Sequence, residues 1–277
     1  MKDNIDSMTN LYQISVLLPT RGRTTALTNS IESLVTNCSN TDNIEILLGL
    51  DQDDTIGRDH FLTQIKPYLD NAGVAYCAIE FEPMGYTGLN RYYNGLAEKS
   101  QADWLFVWND DAVMNTQGWD QVVDQYQGQF RLLKIHTHNE HPYSIFPIYP
   151  REWYDLFGFL ARHQMIDAEL SQIAYMLDLM TIVEIYATHD RADLTGNNKD
   201  STFQDKVIYE GNPDNPLDFH HVNYTTARKQ DCETISQYLQ NKGHDMKFWQ
   251  AVKAGTQNPW EKLRANDINN QCVQRAT

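Results

Sequence analysis

Residues 104–111 read WLFVWNDD. Five consecutive apolar side chains, Trp104 to Trp108, give way without transition to Asn109, Asp110 and Asp111. A short apolar run with no polar alternation suits a strand covered on both faces, so the segment predicts an inner strand of a largely parallel sheet. In open sheets of that kind ligands bind just beyond the carboxyl ends of the strands, which makes the acidic pair the first place to look for chemistry.

The same grammar repeats toward the N-terminus. ISVLL (Ile14 to Leu18) is ended by Pro19 and followed by a polar loop, Thr20 to Arg23, and then by Leu27, Ile31, Leu34 and Val35 at helical spacing, with Thr24 or Thr25 as cap. IEILLGL (Ile44 to Leu50) leads into the acidic loop Asp51 to Thr55 and a helix over residues 58–71 that contains Pro67. Val74 to Phe81 predicts a third strand, and the Pro83, Gly85, Gly88 loop opens a helix carrying Leu89, Tyr92, Tyr93 and Leu96. Alternating β and α elements of this length predict an α/β, Rossmann-like sandwich with a mostly parallel central sheet. Its strand ends would gather Thr20, Arg21 and Arg23, then Asp51, Asp53 and Asp54, then Asn109, Asp110 and Asp111.

Toward the C-terminus the pattern loosens. Strands are expected at Leu132 to His136, Ser144 to Tyr149 and Thr181 to Ala187, the last running into His189, with helices over residues 151–162 and 167–179 between them. Residues 191–216 are polar and rich in Asn, Asp, Gly and Pro, which predicts a long loop beside the site, Asp200 within it. A helix over residues 218–243 and an amphipathic piece around Trp249 and Trp260 make a helical C-terminal extension. The expected division is 1–120, 121–216 and 217–277.

Composition narrows the partners. The 277 residues include 22 basic and 37 acidic side chains, a formal charge of -15, which repels a polyanion and makes nucleic acid an unfavourable acceptor. Cys38, Cys77, Cys232 and Cys272 form no C-x-x-C pair, so neither a zinc site nor a disulfide framework is indicated. Met1 to Tyr12 lacks the apolar stretch of a leader and no run approaches the ~18 apolar residues of a membrane span, so a cytoplasmic protein is expected.

ISVLLPTRGR, LLGLDQDD and GLNRYYNGLAEKSQADWLFVWNDDAVM together resemble the donor half of family-two GT-A glycosyltransferases. The resemblance implies a GT-A fold and a metal-dependent transfer of a sugar from a nucleotide diphosphate donor, a UDP-sugar favoured, to an acceptor hydroxyl. It implies that Pro19, Thr20, Arg21, Arg23 and Asp51 embrace the nucleoside, that Asp110 lies at the ribose or sugar, and that Asp111 binds Mn²⁺ or Mg²⁺. Arg91, in GLNRYYNG, is placed near the diphosphate, and His189 as a further metal ligand. Asn109 departs from the Asp common at that position in the family. FPIYPREWYDLFGF followed by IDAEL resembles the acceptor-side segment, which implies Asp167 as general base of an inverting transfer, with Glu169 in reserve.

Carboxylate oxygens are the donors Mg²⁺ and Mn²⁺ take, a cation of this kind neutralises a departing diphosphate, and an imidazole beside a carboxylate suits Mn²⁺ better than Ca²⁺. The simpler alternatives are a helix cap or solvated turn for Asp110 and Asp111, a solvated acidic loop for Asp53 and Asp54, a helix N-terminal acid for Asp167, a surface residue for Arg91 and a half-buried strand-end residue for His189. Tyr92 and Tyr93 read as core packing. His136, His138 and His141 read as a loop by the acceptor cleft, and His220 and His221 carry no readable role. Rival functions are a nucleotidyltransferase, disfavoured by the single glycine of PTRGR, a glycosyltransferase acting on modified DNA, and a noncatalytic sugar-binding or assembly protein of the same fold.

Overall fold

In the computed structural model, which describes residues 10–137, 141–189 and 208–261, the buried runs form one mixed sheet. Its strands are β1 (Tyr12–Thr20), β2 (Ile44–Asp51), β3 (Ala75–Phe81), β4 (Ala102–Val107), β5 (Ala112–Met114), β6 (Leu132–Thr137), β7 (Ile148–Pro150) and β8 (Met180–His189). They lie in the order β3-β2-β1-β4-β7-β6-β8-β5. The first four are mutually parallel, β7 pairs antiparallel with β4 and β6, and β5 pairs antiparallel with β8. Every residue of β2 is buried, including Glu45, whose carboxylate accepts from the Ser15 hydroxyl and Gln101 N–H, whereas β8 alternates and leaves one face to solvent.

Alternation along the inner strands divides the interior into two cores. Val16, Leu18, Ile46, Leu48, Trp104 and Phe106 face helix α1 (Thr24–Thr36), with Leu27, Ile31 and Leu34 packed against them. Leu17, Leu47, Leu105 and Val107 point the other way, toward α4 (Leu89–Lys99), α6 (Arg151–Phe157) and α7 (Ile166–Leu177). The C-terminal helices α8 (Val222–Asn241) and α9 (Lys247–Lys253) belong to this second core through Cys232, Ile235, Leu239 and Trp249. Gly95 sets how closely α4 approaches the sheet: a Cβ there would lie 2.7 Å from the Phe81 ring, which is already wedged against Gly49.

Several elements differ from the sequence expectation. The second helix runs as α2 (Thr55–His60), a π-turn (Phe61–Ile65) and α3 (Lys66–Ala72). Pro67 explains the irregularity, because its ring clashes with the carbonyl four residues back; the widened turn, closed by Lys66 N–H to the Phe61 carbonyl, relieves that crowding. The strand expected at Ser144 to Tyr149 contracts to β7, and the helix expected to reach residue 162 stops at Phe157, where Gly158 takes φ 71°. The three-residue β5 and the short α5 (Trp119–Asp124) have too few residues to show a period. Residues 191–207 of the expected loop, with Asp200, and also His138, Cys272 and the tail 265–277, lie outside the described residues. Among the described residues no helix is long and apolar enough to cross a membrane.

Candidate active site

The carboxyl ends of β1, β2 and β4 converge, and their loops are tied to one another by side chains. After β1 the chain turns at Gly22, whose φ of 66° is disfavoured for side-chain-bearing residues. Its N–H donates to Asp54 Oδ2 at 2.7 Å, and the other oxygen of Asp54 accepts from Gly57 N–H at the start of α2. Asp54 is thus a cap that joins two loops. Arg21 donates to Asp51 Oδ2 at 2.6 Å and holds Asp53 with both terminal nitrogens, while Tyr92 donates to Asp51 Oδ1. Asp51 is buried, Pro19 half-buried, and Arg91 exposed in the first turn of α4.

Asp110 and Asp111 follow the buried Trp108, whose indole N–H donates to Ser30 on α1 and whose backbone N–H continues the ladder to Leu17. Thr20 donates to Asp110 Oδ2 at 2.7 Å, and Arg23 reaches both acids, at 3.2 Å from Asp110 Oδ1 and 3.0 Å from Asp111 Oδ2. Burial pushes the Asp110 carboxyl up to about 6, against the pull of Arg23. Burial acts upward on Asp111 too, but His189 and Arg23 outweigh it and hold that carboxyl below the usual range.

His189 arrives by strand pairing. The antiparallel β5–β8 ladder sets Ala112 opposite His189, which brings its Nε2 to 3.1 Å from Asp111 Oδ1. That contact has the distance of an ion pair without the direction of a hydrogen bond, so Asp111 Oδ1 is buried with no hydrogen-bond partner. An orphaned carboxylate oxygen beside an imidazole nitrogen is a donor set that a divalent cation fits. No three His, Cys, Asp or Glu side chains among the described residues make a complete cluster for a metal ion. His136, for its part, stacks on Tyr186, and His141 accepts from Tyr143 N–H.

The acceptor-side acids divide. Asp167 is half-buried in the first turn of α7 and makes no hydrogen bond or ion pair among the described residues. The Tyr93 hydroxyl lies 2.8 Å from both the Trp108 carbonyl and Asn109 Oδ1, and its pKa is raised well above the ordinary value by burial and then by the charges of Asp110, Asp111 and Asp167. Glu169 faces inward, 2% exposed, and accepts the N–H groups of Arg162 and His163; burial pushes it up to about 7. It braces the loop before α7.

Sequence reasoning assigned Tyr92 and Tyr93 to the core. Both rings are buried there, yet both hydroxyls reach the site, one to Asp51 and one to Asn109. Their adjacency just after a glycine loop was the available signal. His221, to which no role was given, caps α8 by accepting Asn223 N–H.

No family model and no curated protein sequence matches the chain. Among solved structures, S. aureus TarS 1–349 in complex with UDP-GlcNAc is 12% identical with a TM-score of 0.49, covering 65% of this chain and 59% of that one. TarS 1–349 in complex with UDP is 15% identical with a TM-score of 0.48, covering 66% and 62%. The chain thus spans less than two thirds of the TarS fragment. Mannosyltransferase PcManGT from Pyrobaculum calidifontis, in complex with GDP-Man and Mn²⁺, matches nearly end to end: TM-score 0.55, 12% identity, 94% of this chain and 87% of that one. The chain has the GT-A fold. At this identity it is the architecture that is shared, and within the GT-A frame Asp110, Asp111 and His189 sit at the strand ends where open sheets take ligands.

Proposed function

We propose that this GT-A protein transfers a sugar from a nucleotide diphosphate-sugar to an acceptor hydroxyl, with Mn²⁺ or Mg²⁺ and with inversion. The observation that carries the proposal is the grouping of Asp110, Asp111 and His189 at the strand ends, one carboxylate oxygen among them buried without a hydrogen-bond partner among the described residues. The GDP-Man and Mn²⁺ named for the Pyrobaculum mannosyltransferase support the same chemistry.

In this proposal Asp51, with Pro19, Thr20 and Arg21, receives the nucleoside; Arg21 exchanges its carboxylate partner for the donor. Asp110 accepts from a ribose or sugar hydroxyl, a role its raised pKa suits, and Arg23 and Arg91 face the diphosphate. Asp111 and His189 would hold the cation, which when bound neutralises charge on the departing diphosphate. Asp167 takes the acceptor proton as the oxygen attacks the anomeric carbon from the face opposite the leaving group; its carboxylate, without a hydrogen-bond partner among the described residues, is available to do so.

The test is thermal shift and donor hydrolysis across UDP-, GDP-, CMP- and dTDP-sugars with Mn²⁺, Mg²⁺ or EDTA. Stabilisation by one donor that needs the cation and disappears in Asp111→Ala is expected. Binding without turnover would favour the noncatalytic alternative, and stabilisation that persists in EDTA would shift the charge-neutralising role to Arg23, which already bridges both acids.

A further inference from the structure

Glu210 occupies a position that none of the chemistry above uses. Its side chain is 13% exposed and takes donors from three separate segments. Oε1 accepts from Gln164 Nε2 at 3.1 Å and from the Tyr86 hydroxyl at 3.4 Å; Oε2 accepts from Phe219 N–H at 3.0 Å. Gln164 lies three residues before Asp167, and Tyr86 lies in the turn that opens α4. Glu210 Oε1 joins the two sides, since the Gln164 amide and the Tyr86 hydroxyl both donate to it.

The segment that carries Glu210 is held by a set of its own hydrogen bonds. Asp218, fully buried, accepts from Gly211 N–H at 2.6 Å, Asn212 N–H at 2.9 Å and His220 N–H at 2.7 Å. The Leu217 carbonyl accepts from His163 Nε2 and Gln164 Nε2, both at 3.0 Å. His163 Nδ1 accepts Met165 N–H, so the ring is the Nε2-protonated tautomer and binds both loops at once.

We propose that Glu210 is a positioning residue: it clasps the α4 turn to the loop before α7 and so fixes where the Asp167 carboxylate stands relative to the donor. The inference rests on the reading of Asp167 as base. Mispositioning a base by about 1 Å costs rate far more than binding, so the effect belongs in kcat.

The experiment compares Glu210→Ala and Glu210→Gln in the full chain. With the sugar nucleotide selected by thermal shift as probe, Glu210→Ala is expected to lower kcat for donor hydrolysis at least about tenfold with donor KM within about twofold. Glu210→Gln keeps only one of the two acceptor oxygens and should recover part of the loss. Hydrogen–deuterium exchange without ligand reads the clasp directly: residues 84–90 and 160–168 should exchange faster in Glu210→Ala. Unchanged exchange in both segments, or a kcat equal to wild type, overturns the inference. If wild type hydrolyses no donor while exchange rises as expected, the clasp stands and the base reading falls.

Discussion

Asp167 and Glu169 show how one helix turn can hold two acids with different fates. Among the described residues the Asp167 oxygens take no hydrogen bond, whereas Glu169 gives both of its own to backbone N–H groups. Asp167→Asn should therefore reduce turnover by roughly 10²–10⁴ with donor-induced thermal shift intact, measured by hydrolysis and melting on the same samples. Glu169 should show instead in stability. Its folded pKa of about 7 lies above the unfolded value, so its contribution is full below about pH 4.5 and is lost as pH rises through about 7. Melting from pH 5 to pH 8 should find the wild type losing stability relative to Glu169→Gln, by at most about 3 kcal/mol. A pH-independent difference would show that the carboxyl is already ionised in the fold.

At the scale of elements, glycine placement decides how closely helix and sheet meet. A Cβ added at Gly95 would lie 2.7 Å from the Phe81 ring, so the ring or the helix has to shift to admit it. Gly95→Ala should cost about 1–3 kcal/mol in denaturant unfolding, and Phe81→Leu in the same chain should recover part of it. Strong periods made β1, β2, β4, α1 and α4 legible in the sequence, because each buries a face or a stripe long enough to repeat. The strand β5 was not legible: three residues carry no period, and their pairing partner is more than seventy residues away. The π-turn before Pro67 was hidden for a related reason, since proline announces a disturbance without saying how the backbone absorbs it.

For the whole molecule, α8 and α9 are part of the second core. Cys232, Ile235, Leu239 and Trp249 are at most 3% exposed. Each such burial is worth about 1.5–3 kcal/mol, and their sum rivals the roughly 5–15 kcal/mol that holds a typical domain folded. A chain ending at residue 217 should lose its cooperative melt, and Leu239→Ala in the full chain should cost about 2–5 kcal/mol in the same measurement. The same helices hold the site, since Arg162, just ahead of α7, forms a two-point ion pair with Asp231 on α8. By itself the sequence determined the class of sheet, the strands that end in polar groups, and the location of Asp51, Asp110 and Asp111 at those ends, because burial on two faces demands unbroken apolar runs and the chain must turn polar where they stop. Only the tertiary structure decided that His189 meets Asp111, that Glu169 rather than Asp167 is tied to backbone N–H groups, and that Glu210 takes donors from the α4 turn and from the loop before α7. Those are contacts set by strand register and helix packing, and no local pattern encodes them.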